Sequence, residues 1–145
     1  MITLEKILRL RSVPLFADLD ARELGRIAVL AGEVPCASGQ SLFNVGDEGT
    51  CLHVVLEGEI RVHVGSRTLK LLGPQTFLGE MAMLDGGPRS ASATAVVDSL
   101  LLTIEQEDFL RVLEQHPKAA LSVIRTLSRR LREADAEPSA DAPPT

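Results

Sequence analysis

Between Glu33 and Glu105 the chain breaks into short apolar or β-branched runs, each closed by glycine, proline or a small polar cluster. The runs are 33–37, 41–44, 51–57, 59–64, 67–72, 76–78, 91–97 and 99–105. The separators are Ser38-Gly39-Gln40, Gly46-Asp47-Glu48-Gly49, Gly58, Gly65-Ser66, Gly73-Pro74 and Asp98-Ser99. Runs this short do not complete a helix, and separators of this kind supply turns. The spacing predicts a mainly β fold, an eight-stranded antiparallel β-roll or jelly roll over 33–105. Gly79 to Asp85, rich in Met, Ala and Leu, interrupts the series as one or two turns of helix.

Helical periodicity flanks the roll. Residues 2–11 place Ile2, Ile7, Leu8 and Leu10 among charges, and Pro14 stops them. A second helix is capped by Asp18 or Asp20, buries Leu24, Ile27, Ala28 and Ala31, and ends at Gly32. After the roll, Glu107-Asp108 suit a helix N-terminus, with Phe109, Leu110 and Leu113 on the apolar face. Pro117 opens another helix at a position proline tolerates. Within it Ala120, Ile124, Leu127, Leu131 and Ala134 are spaced four, three, four and three, a coiled-coil-like stripe. Two readings stay open for the stripe: packing on the roll, or the seam of a homodimer through residues 120–134. The expected organisation is one domain over 1–134, with two C-terminal helices in 106–134, and a disordered tail over the Pro, Ala, Ser and acidic residues 135–145.

With four Phe and neither Trp nor Tyr, the core is aliphatic and base-stacking platforms are not expected. A net charge of −5 argues against nonspecific nucleic-acid binding. The run Arg125, Arg129, Arg130, Arg132 reads as a solvated helix face near a C-terminus. Cys36 and Cys51 are too far apart for a CxxC motif and read as small buried hydrophobes in a reducing compartment. The N-terminus has no signal-peptide pattern and no apolar run reaches membrane-spanning length, so the expected location is the cytoplasm.

The densest chemistry lies in Phe77-Leu78-Gly79-Glu80-Met81-Ala82-Met83-Leu84, then Asp85-Gly86-Gly87, then Pro88-Arg89-Ser90-Ala91. A glycine turn, a carboxylate, free backbone N–H groups and one arginine fall together. Amides and a guanidinium suit an anion, and a carboxylate suits a hydroxyl. A ribose bearing a phosphate has both. Glu80 paired with Arg89 in a structural salt bridge is the plain alternative.

The motif resembles the phosphate-binding cassette of the cyclic nucleotide-binding domain family. The resemblance extends to Gly39, Gly46-Asp47, Leu52 to Gly58, Leu72-Gly73, Phe109, Pro117 and Leu127 to Leu131, covering about residues 12–133. It implies that Arg89, Ser90, Ala91, Met81 and Ala82 hold the cyclic phosphate, Arg89 through its planar fork and the others largely through backbone N–H groups. It implies that Glu80 accepts from the ribose 2′-OH and that Gly79 lets the backbone approach the sugar. Phe109 and Leu113 become hinge residues, and the last helix swings towards the pocket when ligand binds. The ligand is cAMP in preference to cGMP, Ser90 being compatible with both. Departures from the family pattern are Leu78 for an aromatic, Gln75 for a glycine and His53 for a tyrosine; they touch packing and a turn rather than the phosphate contacts.

His53, His63 and His116 show no H-x-H pairing, so no metal site is expected. No nucleophile sits in a recognisable elbow, so no enzyme activity and no cofactor are expected. The helix-turn-helix that transcription factors of the family carry after the long helix has no counterpart before Thr145, so direct nucleic-acid contact is not expected. The implied function is a stand-alone regulatory module signalling to a separate protein effector. The alternative is a ligand-free roll used for dimerisation or docking.

Overall fold

A computed structural model describes residues 1–136, and for residues 82, 83 and 134–136 the backbone alone. The elements are α1 (Thr3–Arg11), a 3₁₀ turn (Pro14–Phe16), α2 (Ala21–Leu30), β1 (Gly32–Cys36), β2 (Ser41–Phe43), β3 (Cys51–Glu57), β4 (Ile60–Val64), β5 (Arg67–Leu72), β6 (Thr76–Leu78), α3 (Glu80–Asp85), β7 (Ser92–Ala95), β8 (Ser99–Glu105), α4 (Gln106–Gln115) and α5 (Pro117–Ala136). Eight antiparallel strands form two four-stranded sheets, ordered β1-β8-β3-β6 and β2-β7-β4-β5. The β-roll with flanking helices is therefore present. Gly32 opens β1 rather than only ending α2, and the run expected over 91–97 is strand only over Ser92–Ala95. Val96 and Val97 belong to the turn into β8 and are exposed. Asp20, not Asp18, caps α2: its carboxylate accepts from the Glu23 N–H while Glu23 accepts from the Asp20 N–H. That reciprocal arrangement satisfies two helix-end donors.

The first sheet is apolar on both faces because it is covered on both. Along β3, Leu52, Val54 and Leu56 point to the helices and join Leu10, Phe16, Leu24, Ile27, Leu102, Ile104 and Phe109 in the larger core. Val55, from the alternate positions, joins Cys36, Ile60, Leu72, Leu78, Ala93, Ala95 and Leu101 between the sheets. The two-residue period of a strand turns one sequence into two separate cores. His53 lies on the same inner face as Val55 and pairs in register with Thr103 of β8. The interior of the roll thus becomes polar at one end.

The helices close on the first sheet through Phe109, whose ring meets Phe16 edge-on at 6.0 Å. Leu113 is half-buried against the same core. Helix α5 docks on the 3₁₀ turn, where the Ser122 hydroxyl donates to the Leu15 carbonyl at 3.3 Å. Its packed face is Ala119, Ser122, Val123 and Thr126. The stripe read from the sequence runs along a different face: Ile124 is 62% and Leu131 65% exposed. Packing on the roll is therefore not what those two residues do. Ala120 and Leu127 sit between the two faces, half-buried. Helix α5 continues through Ala136, two residues past the expected domain end; the rest of the expected tail lies outside the described residues.

Because Phe109 fastens the C-terminal helices to the sheet, Phe109→Ala is expected to cost about 3–5 kcal/mol, the range for deleting a buried aromatic. Urea unfolding checks this; a midpoint equal to wild type would remove Phe109 from that role.

Candidate functional site

A cavity of about 270 Å³ opens at the polar end of the roll. The second sheet supplies one wall through Phe43, Val62, Lys70 and Leu72. The opposite wall is the turn into α3, with Gly79, Glu80 and Met81, and the loop before β7, with Pro88, Arg89, Ser90 and Ala91. Arg130 of α5 reaches in from the side. The structure thus brings together Gly79, Glu80, Met81, Arg89, Ser90 and Ala91 as the sequence suggests. Met81 is 65% exposed at this rim, so of the α3 side chains described it is Leu84 that packs on the core.

Arg89 is held first by its backbone. Its N–H donates to the Asp47 carbonyl at 2.7 Å, and its carbonyl accepts from the Gly46 N–H at 2.8 Å. These bonds tie the cassette loop to the turn between β2 and β3. The side chain is buried, 6% exposed. Nη2 donates to the Cys51 carbonyl at 2.9 Å and Nη1 to the Gly79 carbonyl at 3.2 Å. The guanidinium lies 4.2 Å from the Phe43 ring centroid, a cation–π contact. Its Nε is buried without a partner. Two glycines make room: a Cβ at Gly49 would overlap Nε, and one at Gly79, where φ is +87°, would overlap Nη1. Burial pulls the Arg89 pKa down, opposed by the nearby Cys51, Asp47 and Glu80; a guanidinium starts so high that it remains a cation.

Glu80 does not pair with Arg89. Its Oε1 accepts from Arg130 Nη1 at 2.6 Å. Arg130 Nη2 donates to the Phe77 carbonyl at 3.1 Å, and the guanidinium stacks over the Phe77 ring at 3.7 Å. Arg130 therefore departs from the solvated helix face expected of it from the sequence. A charge pattern along a helix cannot show which arginine meets a carboxylate from another element. Glycine at 49 was legible only as a turn residue, and Phe43 only as a strand residue. Their roles depend on where Arg89 lies.

His53, 8% exposed, stands behind Arg89. Its Nε2 is 3.5 Å from Arg89 Nη2, its Nδ1 is 3.3 Å from Thr103 Oγ1, and its ring stacks on Phe43 at 5.7 Å. Burial, and then the charge of Arg89, push its pKa down to about 4. The neighbouring Cys51 thiol is pushed up, chiefly by burial. The other histidines are elsewhere: His63 contacts Gly65 and Thr94, and His116 contacts Glu23 and Arg26. Among the described residues no cluster of three His, Cys, Asp or Glu is placed to hold a metal. None of the described helices is long and apolar enough to cross a membrane.

Since His53 is neutral in the fold, the unfolded chain takes up the proton first as the pH drops below about 6.5. Folding stability is therefore lost between about pH 6.5 and pH 4, by an amount on the order of 3 kcal/mol from this residue. Denaturation across that window should show a shallower decline for His53→Phe than for wild type, carboxylate contributions being common to both. Parallel curves would contradict the assignment.

The signature of the "Cyclic nucleotide-binding domain" matches residues 33–116, more than half of the chain. The "Cyclic AMP receptor protein" of Thermus thermophilus is 40% identical over 133 residues, covering 88% of this chain. This chain spans 62% of the length of that relative. The N-terminal domain of a transcriptional regulator from Streptomyces coelicolor superposes with a TM-score of 0.74 at 36% identity, covering 90% of this chain and 98% of that domain. The regulatory domain of Toxoplasma gondii PKA, solved with cAMP, superposes with a TM-score of 0.70 at 28% identity, covering 76% and 44% of the respective chains. By the signature that spans its roll and by these likenesses, the chain belongs to the cyclic nucleotide-binding domain family.

Proposed function

We propose that this chain is a regulatory module that binds a cyclic mononucleotide reversibly at the cavity beside Arg89. The observation that carries the reading is the buried guanidinium whose Nε has no partner and which borders the cavity. A cation held among carbonyls and an aromatic ring, with no carboxylate bonded to it, is arranged for an anion from outside. Arg89 would take the exocyclic oxygens of the phosphate, with Ser90, Ala91, Met81 and Ala82 completing the cradle. Glu80 would accept from the ribose 2′-OH, and Gly79 would admit the sugar. Glu80 engages Arg130 through Oε1, which leaves its other oxygen for that hydroxyl. cAMP is favoured over cGMP, in keeping with the relatives named above. The reading involves binding without turnover, in the cytoplasm and with no direct contact to nucleic acid. The domain is read as residues 1–134, followed by a tail.

Signal output would run through α5. Arg130 joins that helix to Glu80, so a ligand that engages Glu80 acts directly on the C-terminal helix. Phe109 and Leu113 are the positions about which α4 and α5 would reseat. For a shift to occur the nucleotide must bind one helix placement better than another. A separate protein effector would read the result. A second reading, a ligand-free interaction module, draws support from one observation: the exposed Ile124 and Leu131 on α5. Self-association through residues 120–134 is compatible with both, since the cavity and that face are distinct.

Calorimetric titration with cAMP and cGMP is expected to show saturable binding. Arg89→Ala should weaken it by about 2–5 kcal/mol, the range for removing one partner of a buried charge pair. Glu80→Ala, which removes the acceptor, should cost about 1.5–3 kcal/mol, a hydrogen bond to a charged group, and should erase the preference for cAMP over 2′-deoxy-cAMP. Full affinity in Arg89→Ala would refute the site. Sedimentation analysis of Ile124→Glu and Leu131→Glu tests the seam: a wild-type dimer that these changes render monomeric supports it, and a monomeric wild type dismisses it.

A further inference from the structure

We propose that His53 is a positioning residue of the anion site: its neutral imidazole backs the Arg89 guanidinium through Nη2 and holds it where an anion can dock. The inference rests on the cyclic-nucleotide reading of the cavity. It concerns a residue that does not line that cavity.

Three contacts hold the ring. Phe43 stacks on one face with 30° between planes, Thr103 Oγ1 faces Nδ1 at 3.3 Å, and Arg89 Nη2 faces Nε2 at 3.5 Å. The guanidinium is itself over Phe43, so one aromatic ring braces both cationic and imidazole groups. The tautomer follows from the neighbours. Arg89 offers only N–H groups, so Nε2 must present its lone pair, and the proton belongs on Nδ1, where the Thr103 hydroxyl accepts it. His53 thereby supplies a buried acceptor at the back of a cation that has carbonyls at its sides. Two residues on along that inner face, Val55 and Leu101 offer no acceptor, and two residues back lie Cys51 and Glu105.

The imidazole stays neutral beside this cation. Arg89 faces it directly from the cassette loop, while Thr103 on β8, Leu78 on β6 and Phe43 on β2 carry no charge. On its own strand is the Cys51 thiol, with Glu105 of β8 beyond it. Burial first, and then the charge of Arg89, keep the ring unprotonated, so the acceptor is present throughout the neutral range. A proton on Nε2 would set N–H against N–H and remove the contact.

Calorimetry of cAMP binding at neutral pH tests this on wild type, His53→Phe and His53→Tyr. His53→Phe keeps a ring against Phe43 but loses the acceptor; it should bind about three- to tenfold more weakly, the worth of one hydrogen bond. In His53→Tyr the hydroxyl oxygen restores an acceptor, so affinity should recover. Circular dichroism confirms that each variant is folded. Unchanged affinity in His53→Phe, or no recovery in His53→Tyr, would overturn the proposal while leaving nucleotide binding intact. Failure of folded wild type to bind any cyclic nucleotide would instead overturn the reading of the cavity.

Discussion

The site depends on keeping one guanidinium inside a protein without a carboxylate to hold it. Burying a charge is costly unless other groups replace its water. Here the replacements are the carbonyls of Cys51 and Gly79, the ring of Phe43 and the lone pair of His53. Each is a weak partner compared with a carboxylate. Together they hold Arg89 in place while leaving its positive charge uncancelled. A salt bridge to Glu80 would hold Arg89 more firmly and would also occupy the groups an anion and a hydroxyl need. Glu80 is instead engaged by Arg130, so the two opposite charges in the cassette remain apart.

That arrangement uses both faces of the first sheet. The outer face is committed to the helices, and Phe109, Phe16 and the 3₁₀ turn fasten α4 and α5 there. The inner face is apolar at Val55 and Leu101 and polar at His53 and Thr103, two residues further along. The same strand therefore packs against the C-terminal helices on one side and supports Arg89 on the other, through the Cys51 carbonyl and His53.

The fold was largely legible because its signals are local. Glycine and proline separators, two-residue alternation and the Asp20–Glu23 cap each act within a few positions. The cassette was legible because Gly79, Glu80, Arg89, Ser90 and Ala91 lie in one short segment. What could not be read were partnerships between distant elements. Glu80 and Arg130 are fifty positions apart, and Arg89 and His53 thirty-six. The apolar stripe of α5 was legible as a stripe, but which face meets the roll is decided by Ser122, Val123 and Thr126. Of these, Ser122 and Thr126 carry no apolar signal. Their burial follows from the Leu15 carbonyl and the tight approach to the 3₁₀ turn.

Arg130 gives the site its directionality. Its guanidinium is bonded to the Glu80 carboxylate and the Phe77 carbonyl and stacked on the Phe77 ring, so α5 is anchored to the cassette at one point by three kinds of contact. Elsewhere near its C-terminal half the helix exposes Ile124, Leu131 and its remaining arginines. Ala119, Ser122, Val123 and Thr126 seat the helix on the core and the 3₁₀ turn, so Arg130 adds a second hold, from the cassette. Under the proposed function, a ligand hydroxyl at Glu80 would bear on α5 through the bond to Arg130, whose side chain is only partly buried.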